Sequence, residues 1–245
     1  MEEGKKIRIA NKRRYERGDE VDNYLHKPYH KIRTFKALKL LEDMLSQNFP
    51  YYSKSQLNVL ELAGSTGYAA GILKSHGYNV TLNDIEISAL EKAADRVSGL
   101  NIMCFDASGI FPIEDNTFHA IYAGEIIEHL FDTKLFLSEC YRCLKPDGVI
   151  ILTTPNLATI QDRIAFLFGK SPRQVNPFHE YLYLHIRPFT VSKLKEGCIK
   201  TGFKKIRIKT NIIVFRFGEK RVYIPYLGDF LPSLGGSIIL GAIKK

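Results

Sequence analysis

Hydrophobic spacing along the chain changes period repeatedly. Tyr29, Ile32, Phe35, Leu38, Leu41 and Leu45 recur at helical intervals behind Pro28, a residue well placed in a first turn, so they predict an N-terminal amphipathic helix. A polar and aromatic loop around Phe49 to Ser55 follows, and Leu57 to Leu62 reads as a buried strand entering a turn of small residues and a helix. Strand and helix then alternate: strand near Asn79 to Leu82, helix Ile87 to Val97, strand Asn101 to Phe105, strand Phe118 to Ala123, helix Lys134 to Leu144, strand Val149 to Thr153. After Pro155 come a helical segment (Ile160 to Phe168), a Pro-, His- and Tyr-rich run (Ser171 to Pro188), a helix near Val191 to Thr201, a strand near Phe203 to Ile208 and a last strand, Ser237 to Ile243. Alternating strands and helices require right-handed crossovers and parallel pairing. The expected fold is therefore α/β: a doubly wound, Rossmann-like sheet of seven strands, mainly parallel with an antiparallel last strand, and helices on both faces.

The 245 residues fit one such domain, 1–245, with an N-terminal helical arm (1–50) and two inserts (157–190 and 217–235) as its substrate-facing parts. Loops at the carboxyl ends of strands carry function in this architecture. Hydrophobic residues at 45% and charged residues at 25% exclude a disordered or fibrous chain. No apolar run approaches the roughly 20 residues of a spanning helix, and the charged start, Met1 to Arg17, carries no apolar signal core. Four sparse cysteines argue against a disulfide scaffold and for a reducing, cytoplasmic setting; Cys140 and Cys143 read as packed thiols on a helix. Charge is uneven. Residues 1–36 hold 11 Lys/Arg against 6 Asp/Glu, residues 37–156 hold 8 against 15, and residues 157–245 hold 16 against 5. Basic ends around an acidic middle suit an anionic acceptor, with Arg163, Arg173 and Arg187 as candidate contacts, or simply a solvated basic face.

Chemistry concentrates at the strand ends. Val59-Leu60-Glu61-Leu62-Ala63-Gly64-Ser65-Thr66-Gly67 is a strand running into small residues that let a ligand approach backbone closely. Asp84 ends the second strand, where an acid can grip a ribose diol, and Asp106 ends the third, where it can accept from an adenine amino group. A nicotinamide fingerprint, G-x-G-x-x-G, would need glycines where Ala63, Ser65 and Tyr68 stand, and Glu61 would repel a pyrophosphate. Glu125, Glu128 and His129 lie at i, i+3 and i+4, so one helical turn would aim all three at a single point. Two carboxylates and an imidazole suit a divalent metal, and His185 can supply a fourth ligand.

These residues resemble a known family. Glu61 to Gly67, Asp84, Asp106-Ala107, Asp115 to Ile121, Glu125 to Leu130, Leu144 to Gly148 and Thr154-Pro155-Asn156 resemble a class I S-adenosylmethionine-dependent methyltransferase of the ubiquinone-biosynthesis O-methyltransferase type. The likeness runs over about Asn58 to Asn156 and continues more weakly through Phe203. It implies that Glu61, Ala63, Gly64, Ser65 and Gly67 hold the methionine part of S-adenosylmethionine, Asp84 the ribose, Ile85 an adenine face, and Asp106 with Ala107 the adenine amino end. The run from Glu125 to His129, with His185, resembles the metal set of those enzymes and of small-RNA 2′-O-methyltransferases. The chain departs from the pattern at Ala63 and Ser65, where the family turn carries glycine, and at His119, where it carries an acid.

The expected activity is methyl transfer to an oxygen of a small-molecule or anionic acceptor, with no catalytic base assignable. Ribose 2′-O-methylation of RNA and a catalytically silent adenosylmethionine-binding protein are the alternatives. Tyr24, His26, Tyr29 and His30 on the arm either cover the cofactor or pack, packing being favoured for Tyr29.

Overall fold

The computed structural model describes residues 27–176, 178, 184–217, 220–224 and 227–245. Tyr24, His26 and the rest of residues 1–26 lie outside the described residues. Helices are α1 (Pro28–Asn48), α2 (Tyr68–Ser75), α3 (Ile87–Arg96), α4 (Thr133–Cys143), α5 (Ile160–Leu167), α6 (Val191–Thr201) and α7 (Leu227–Phe230). Strands are β1 (Asn58–Leu62), β2 (Asn79–Asp84), β3 (Asn101–Cys104), β4 (Phe118–Gly124), β5 (Leu144–Pro155), β6 (Lys204–Thr210), β7 (Ile213–Phe217), β8 (Lys220–Ile224) and β9 (Ser237–Ile243).

Seven strands form one sheet in the order β3-β2-β1-β4-β5-β9-β6. The first five are parallel, and β9 runs antiparallel to both β5 and β6. The fold is thus the Rossmann-like one expected. Alternation along each strand sorts side chains onto two cores. Leu60, Leu62, Ile150, Leu152, Ile238 and Leu240 face α4 and α6, while Val59, Val149, Ile151 and Ile239 face α1, α2 and α3. A one-residue slip would exchange these faces, so the pattern itself holds the register. Cys140, Cys143 and Cys198 are buried between α4 and α6 as free thiols, as a packing role requires.

Two expectations need correction. The buried stripe of α1 is His30, Arg33, Thr34, Ala37, Leu38, Leu40, Leu41, Met44 and Leu45, and Phe35 points outward with 66% exposure. The stripe is rotated because Arg33 turns inward to an ion pair described below. Within the 217–235 insert, β8 pairs antiparallel with β7 as a separate two-stranded hairpin, followed by α7, where irregular chain was expected. No helix among the described residues is long and apolar enough to cross a membrane.

His119 fills the place of the family acid by packing. Its Nδ1 accepts from the Asn58 N–H at 2.9 Å and its ring meets Phe49 edge to face at 5.1 Å. Burial, with Lys145 beside it, pushes the imidazole down to about 4, so it is a neutral link between β4 and β1.

Candidate active site

The strand β1 brings Glu61 to the carboxyl edge of the sheet, where its side chain is buried and Oε2 has no hydrogen-bond partner. Burial, reinforced by the charge of Asp84, pushes this carboxyl up to about 8. The turn after it is tight. A Cβ at Gly64 would lie 2.3 Å from Leu82 Cδ1 and 2.5 Å from Glu61 Cδ, so only glycine fits. Gly67 takes a φ of 76° at the start of α2. Ala63 and Ser65 both adopt φ of 52°, a left-handed conformation that costs a residue with a Cβ about 1 to 2 kcal/mol. This is the physical reason glycine suits those positions, and here the fold imposes the same backbone on other residues.

Asp84, 1% exposed at the end of β2, holds that turn in place. Its Oδ2 accepts the Ser65 N–H at 2.9 Å and its Oδ1 accepts the Glu86 N–H at 3.0 Å. Asn83, which sequence reasoning passed over, braces the same region: its Nδ2 donates to the carbonyls of Met103 and Phe105 at 3.1 and 3.0 Å, and its backbone carbonyl accepts from the Gly64 N–H at 3.0 Å. Ile85 is half-buried beside Asp84, Asp106 accepts from the Ser108 N–H at 2.9 Å, and Ala107 is buried in the core next to it. The predicted residues from β1, β2 and the segment after β3 therefore lie on one edge of three adjacent parallel strands.

A second cluster lies beyond β4. Glu128, His129 and His185 each present one ligand-capable atom, and these atoms lie within 4.8 Å of one another. Glu128 is buried; the Thr154 hydroxyl donates to its Oε2 at 2.9 Å, while Oε1 has no hydrogen-bond partner. Burial, and then the charge of Glu125, raises the Glu128 carboxyl well above its ordinary value. His129 Nδ1 lies 3.0 Å from the Leu184 carbonyl and His185 Nδ1 lies 3.0 Å from Gln174 Oε1. Oxygen acceptors there let each ring donate from Nδ1, the arrangement by which outer partners orient metal-binding imidazoles.

Glu125 does not join them. The expected helical turn is absent: Glu125 has a φ of 57°, and only Ile127–His129 forms a short 3-10 turn. Its Oε2 instead pairs with Arg33 of α1 at 2.7 Å. Local spacing aligned all three groups, but a cation from the far end of the chain, on α1, recruits one of them. The candidate arginines are also engaged. Arg163 donates to the carbonyls of Ala158 and Ser233 at 2.8 and 3.1 Å, Arg173 pairs with Asp162 at 3.3 Å, and Arg187 lies over the Phe131 ring at 4.9 Å. Tyr29 packs, its hydroxyl 3.0 Å from Ser237 Oγ.

The fold, and the acids that end its strands, resemble those of class I S-adenosylmethionine-dependent methyltransferases. The family model for a methyltransferase domain matches residues 60–152. The probable S-adenosylmethionine-dependent methyltransferase of Mycolicibacterium smegmatis is 30% identical over 188 residues, 77% of this chain and 64% of that protein. The ubiquinone biosynthesis O-methyltransferase of Rickettsia prowazekii is 28% identical over 142 residues, 57% of this chain and 54% of that one. The chain thus spans less than two thirds of the length of these relatives. Among solved structures, an S-adenosylmethionine-dependent methyltransferase from Thermotoga maritima superposes with a TM-score of 0.62 at 17% identity, covering 93% of this chain and 96% of that chain. Phosphoethanolamine N-methyltransferase 2 of Haemonchus contortus, solved with S-adenosyl-L-methionine, gives 0.56 at 16% identity over 84% of this chain and 52% of that chain.

Proposed function

We propose that the chain transfers the methyl group of S-adenosylmethionine to a hydroxyl oxygen of a small-molecule or anionic acceptor, at a divalent metal held by Glu128, His129 and His185. The observation that carries the oxygen-directed reading is the convergence of those three ligand atoms, with a buried Glu128 oxygen that lacks a hydrogen-bond partner. One carboxylate and two imidazoles fit Mn²⁺, Fe²⁺, Co²⁺ or Zn²⁺ better than Mg²⁺, which prefers oxygen. Such an ion lowers the pKa of a coordinated hydroxyl, which is what a nucleophile facing an already electrophilic sulfonium methyl requires.

The chain's own residues supply position. Glu61 and the turn through Ala63, Gly64, Ser65 and Gly67 receive the methionine part, Asp84 the ribose, Ile85 an adenine face, and Asp106 with Ala107 the adenine amino end. The orphaned Glu61 oxygen supports this fit, because a ligand ammonium would satisfy it. Holding donor and acceptor in line converts a bimolecular encounter into an oriented one. The basic 157–245 segment supports an anionic acceptor. RNA and a catalytically silent binding role remain as alternatives that the following test separates.

Metal-free protein is expected to gain about 2.7 kcal/mol of stability in Mn²⁺ or Zn²⁺ at a hundredfold excess over the dissociation constant. Glu128→Gln and His185→Ala should abolish that gain. S-adenosylhomocysteine formation from hydroxylated acceptors, sugars and RNA oligonucleotides should require the ion and vanish with chelator. No metal-dependent shift in melting temperature would refute the metal reading, and cofactor binding without turnover on every acceptor class would favour the silent one.

A further inference from the structure

Cations without acidic neighbours in sequence gather on two elements that the fold brings together. Residues 28–41, in α1, hold four Lys/Arg and no Asp/Glu, and residues 197–218, which contain β6, hold six and none. On α6, by contrast, Lys193 and Lys200 both pair with Glu196, at 2.9 and 2.7 Å. Among the described residues no ion pair forms at Lys31, Lys39, Lys204, Lys205, Arg207 or Lys209. Of the two acids of α1, Glu42 receives Lys54 at 3.1 Å and His76 at 3.0 Å, which leaves Asp43 as the one other carboxylate on the helix.

Register decides where the strand cations point. In the edge strand β6, Lys204, Arg207 and Lys209 pair with Ile243, Gly241 and Ile239 of β9, and directly opposed residues share a face. Ile239 and Ile243 pack in the core beneath α1, and a Cβ at Gly241 would lie 2.6 Å from Met44 Sδ and 3.0 Å from Leu40 Cδ2. The three cations therefore stand on the α1 side of the sheet, while Ile206 and Ile208 turn to the opposite core. Asn211 Nδ2 donates to the Tyr29 carbonyl at 3.3 Å and Arg207 Nη2 donates to Gln47 Oε1 at 2.5 Å, so helix and strand lie alongside each other and run in opposite directions. Both rows end at the carboxyl edge of the sheet. The strand β6 is parallel to β5, since both oppose β9, and the first turn of α1 reaches that edge where Tyr29 meets Ser237.

Spacing and one ring identify the ligand. Residues two apart on a strand are separated by about 6.6 Å and residues four apart on a helix by about 6 Å. Arg207 and Lys209 repeat at the first interval, and Lys31, Phe35 and Lys39 at the second. Evenly spaced cations match a chain of regularly repeated anions better than a single small one. Phe35 is 66% exposed between two of them. An acidic protein surface has no use for that ring, whereas an unpaired base stacks on it while its phosphates meet the flanking cations.

We propose that the face formed by α1 and β6 binds single-stranded RNA and leads it toward the carboxyl edge of the sheet. The inference concerns binding alone and rests on neither the metal nor the methylated atom, so RNA that binds without being methylated leaves it standing.

Fluorescence anisotropy of a fluorescein-labelled oligouridylate, titrated with the full chain, tests it. Affinity should fall with salt at a slope of about −0.7 per phosphate neutralised, so four contacts predict a loss of about fiftyfold between roughly 50 and 200 mM salt. Arg207→Glu with Lys209→Glu should weaken binding at least tenfold and flatten that slope, while the variant still binds S-adenosylhomocysteine. It keeps an edge strand charged, so loss of binding reports the sign of the charge and not exposure of the edge. Lys31→Glu with Lys39→Glu, on the outer side of α1, should do the same. Phe35→Ser should weaken binding about fivefold and leave the slope unchanged, because stacking releases no counterions. Lys193→Glu with Lys200→Glu on α6 alters net charge by the same four units and should change affinity less than twofold. No saturable binding at low salt, unchanged affinity in the Arg207 and Lys209 double variant, or an equal loss in the α6 variant would overturn the proposal. Polyglutamate competing as well as unlabelled oligouridylate, with no effect of Phe35→Ser, would overturn it in favour of an acidic protein.

Discussion

Arg33→Leu is expected to cost about 3 kcal/mol of folding stability, toward the lower end of what removing one partner of a buried ion pair costs. The Arg33 side chain is 4% exposed and that of Glu125 is 18% exposed, and their charged atoms lie 2.7 Å apart. Arg33 also donates to His30 Nδ1 at 3.0 Å. Without the guanidinium, Glu125 is left largely desolvated beside Glu128, whose own carboxyl is already pushed upward by burial and then by that neighbouring charge. For a chain of this length the loss corresponds to a fall of roughly 10 °C in melting temperature. Urea denaturation at neutral pH measures it. Arg33→Leu combined with Glu125→Leu should regain most of the stability, because a matched apolar pair carries no stranded charge. A single-variant loss below about 1 kcal/mol would contradict the assignment of a buried, structurally required pair.

Asp84→Ala should weaken S-adenosylhomocysteine binding roughly tenfold to a hundredfold, the equivalent of about 1.5 to 3 kcal/mol for hydrogen bonds to a charged group. Two effects add. The ribose loses its carboxylate, and the turn loses the acceptor that fixes the Ser65 and Glu86 N–H groups. Asp84→Asn separates them, since a neutral amide oxygen can still accept one of these N–H groups while giving the ribose a weaker partner. Calorimetry showing unchanged affinity in Asp84→Ala would remove this residue from the cofactor site.

The sheet and the acids along its carboxyl edge were legible because both are written in local pattern. Val149 to Leu152 alternates between the two cores as its sequence indicates, and Asp84 sits at a strand end because the apolar run before it stops there. What local pattern hides is settled by partners distant in sequence. Arg33 is an ordinary surface residue by periodicity but is buried where it meets Glu125 and His30. The Glu125–His129 spacing promised a common helical face, but β4 ends in a left-handed Glu125 and one short turn. His185 reaches Glu128 because its segment is tied back: the Arg187 N–H donates to the Glu128 carbonyl at 3.0 Å. Asn83 and Gln174 could have been noticed only by asking which neighbours hold Asp84 and His185 in place. The β7–β8 hairpin was missed because its strands pair with each other alone, and their alternation is short.

The central claim, that a methyl donor binds at the carboxyl ends of β1, β2 and the segment after β3, is tested most directly by calorimetric titration with S-adenosylhomocysteine near pH 7. Glu61, raised to about 8, is largely protonated in the unliganded protein. An ammonium beside it favours the carboxylate, so binding should release up to about one proton. The account predicts one saturable site and a heat that differs between phosphate and Tris buffers in the sense of proton release, with both the release and much of the affinity lost in Glu61→Gln. No saturable binding, or binding with buffer-independent heat and an affinity that Glu61→Gln leaves unchanged, would contradict it.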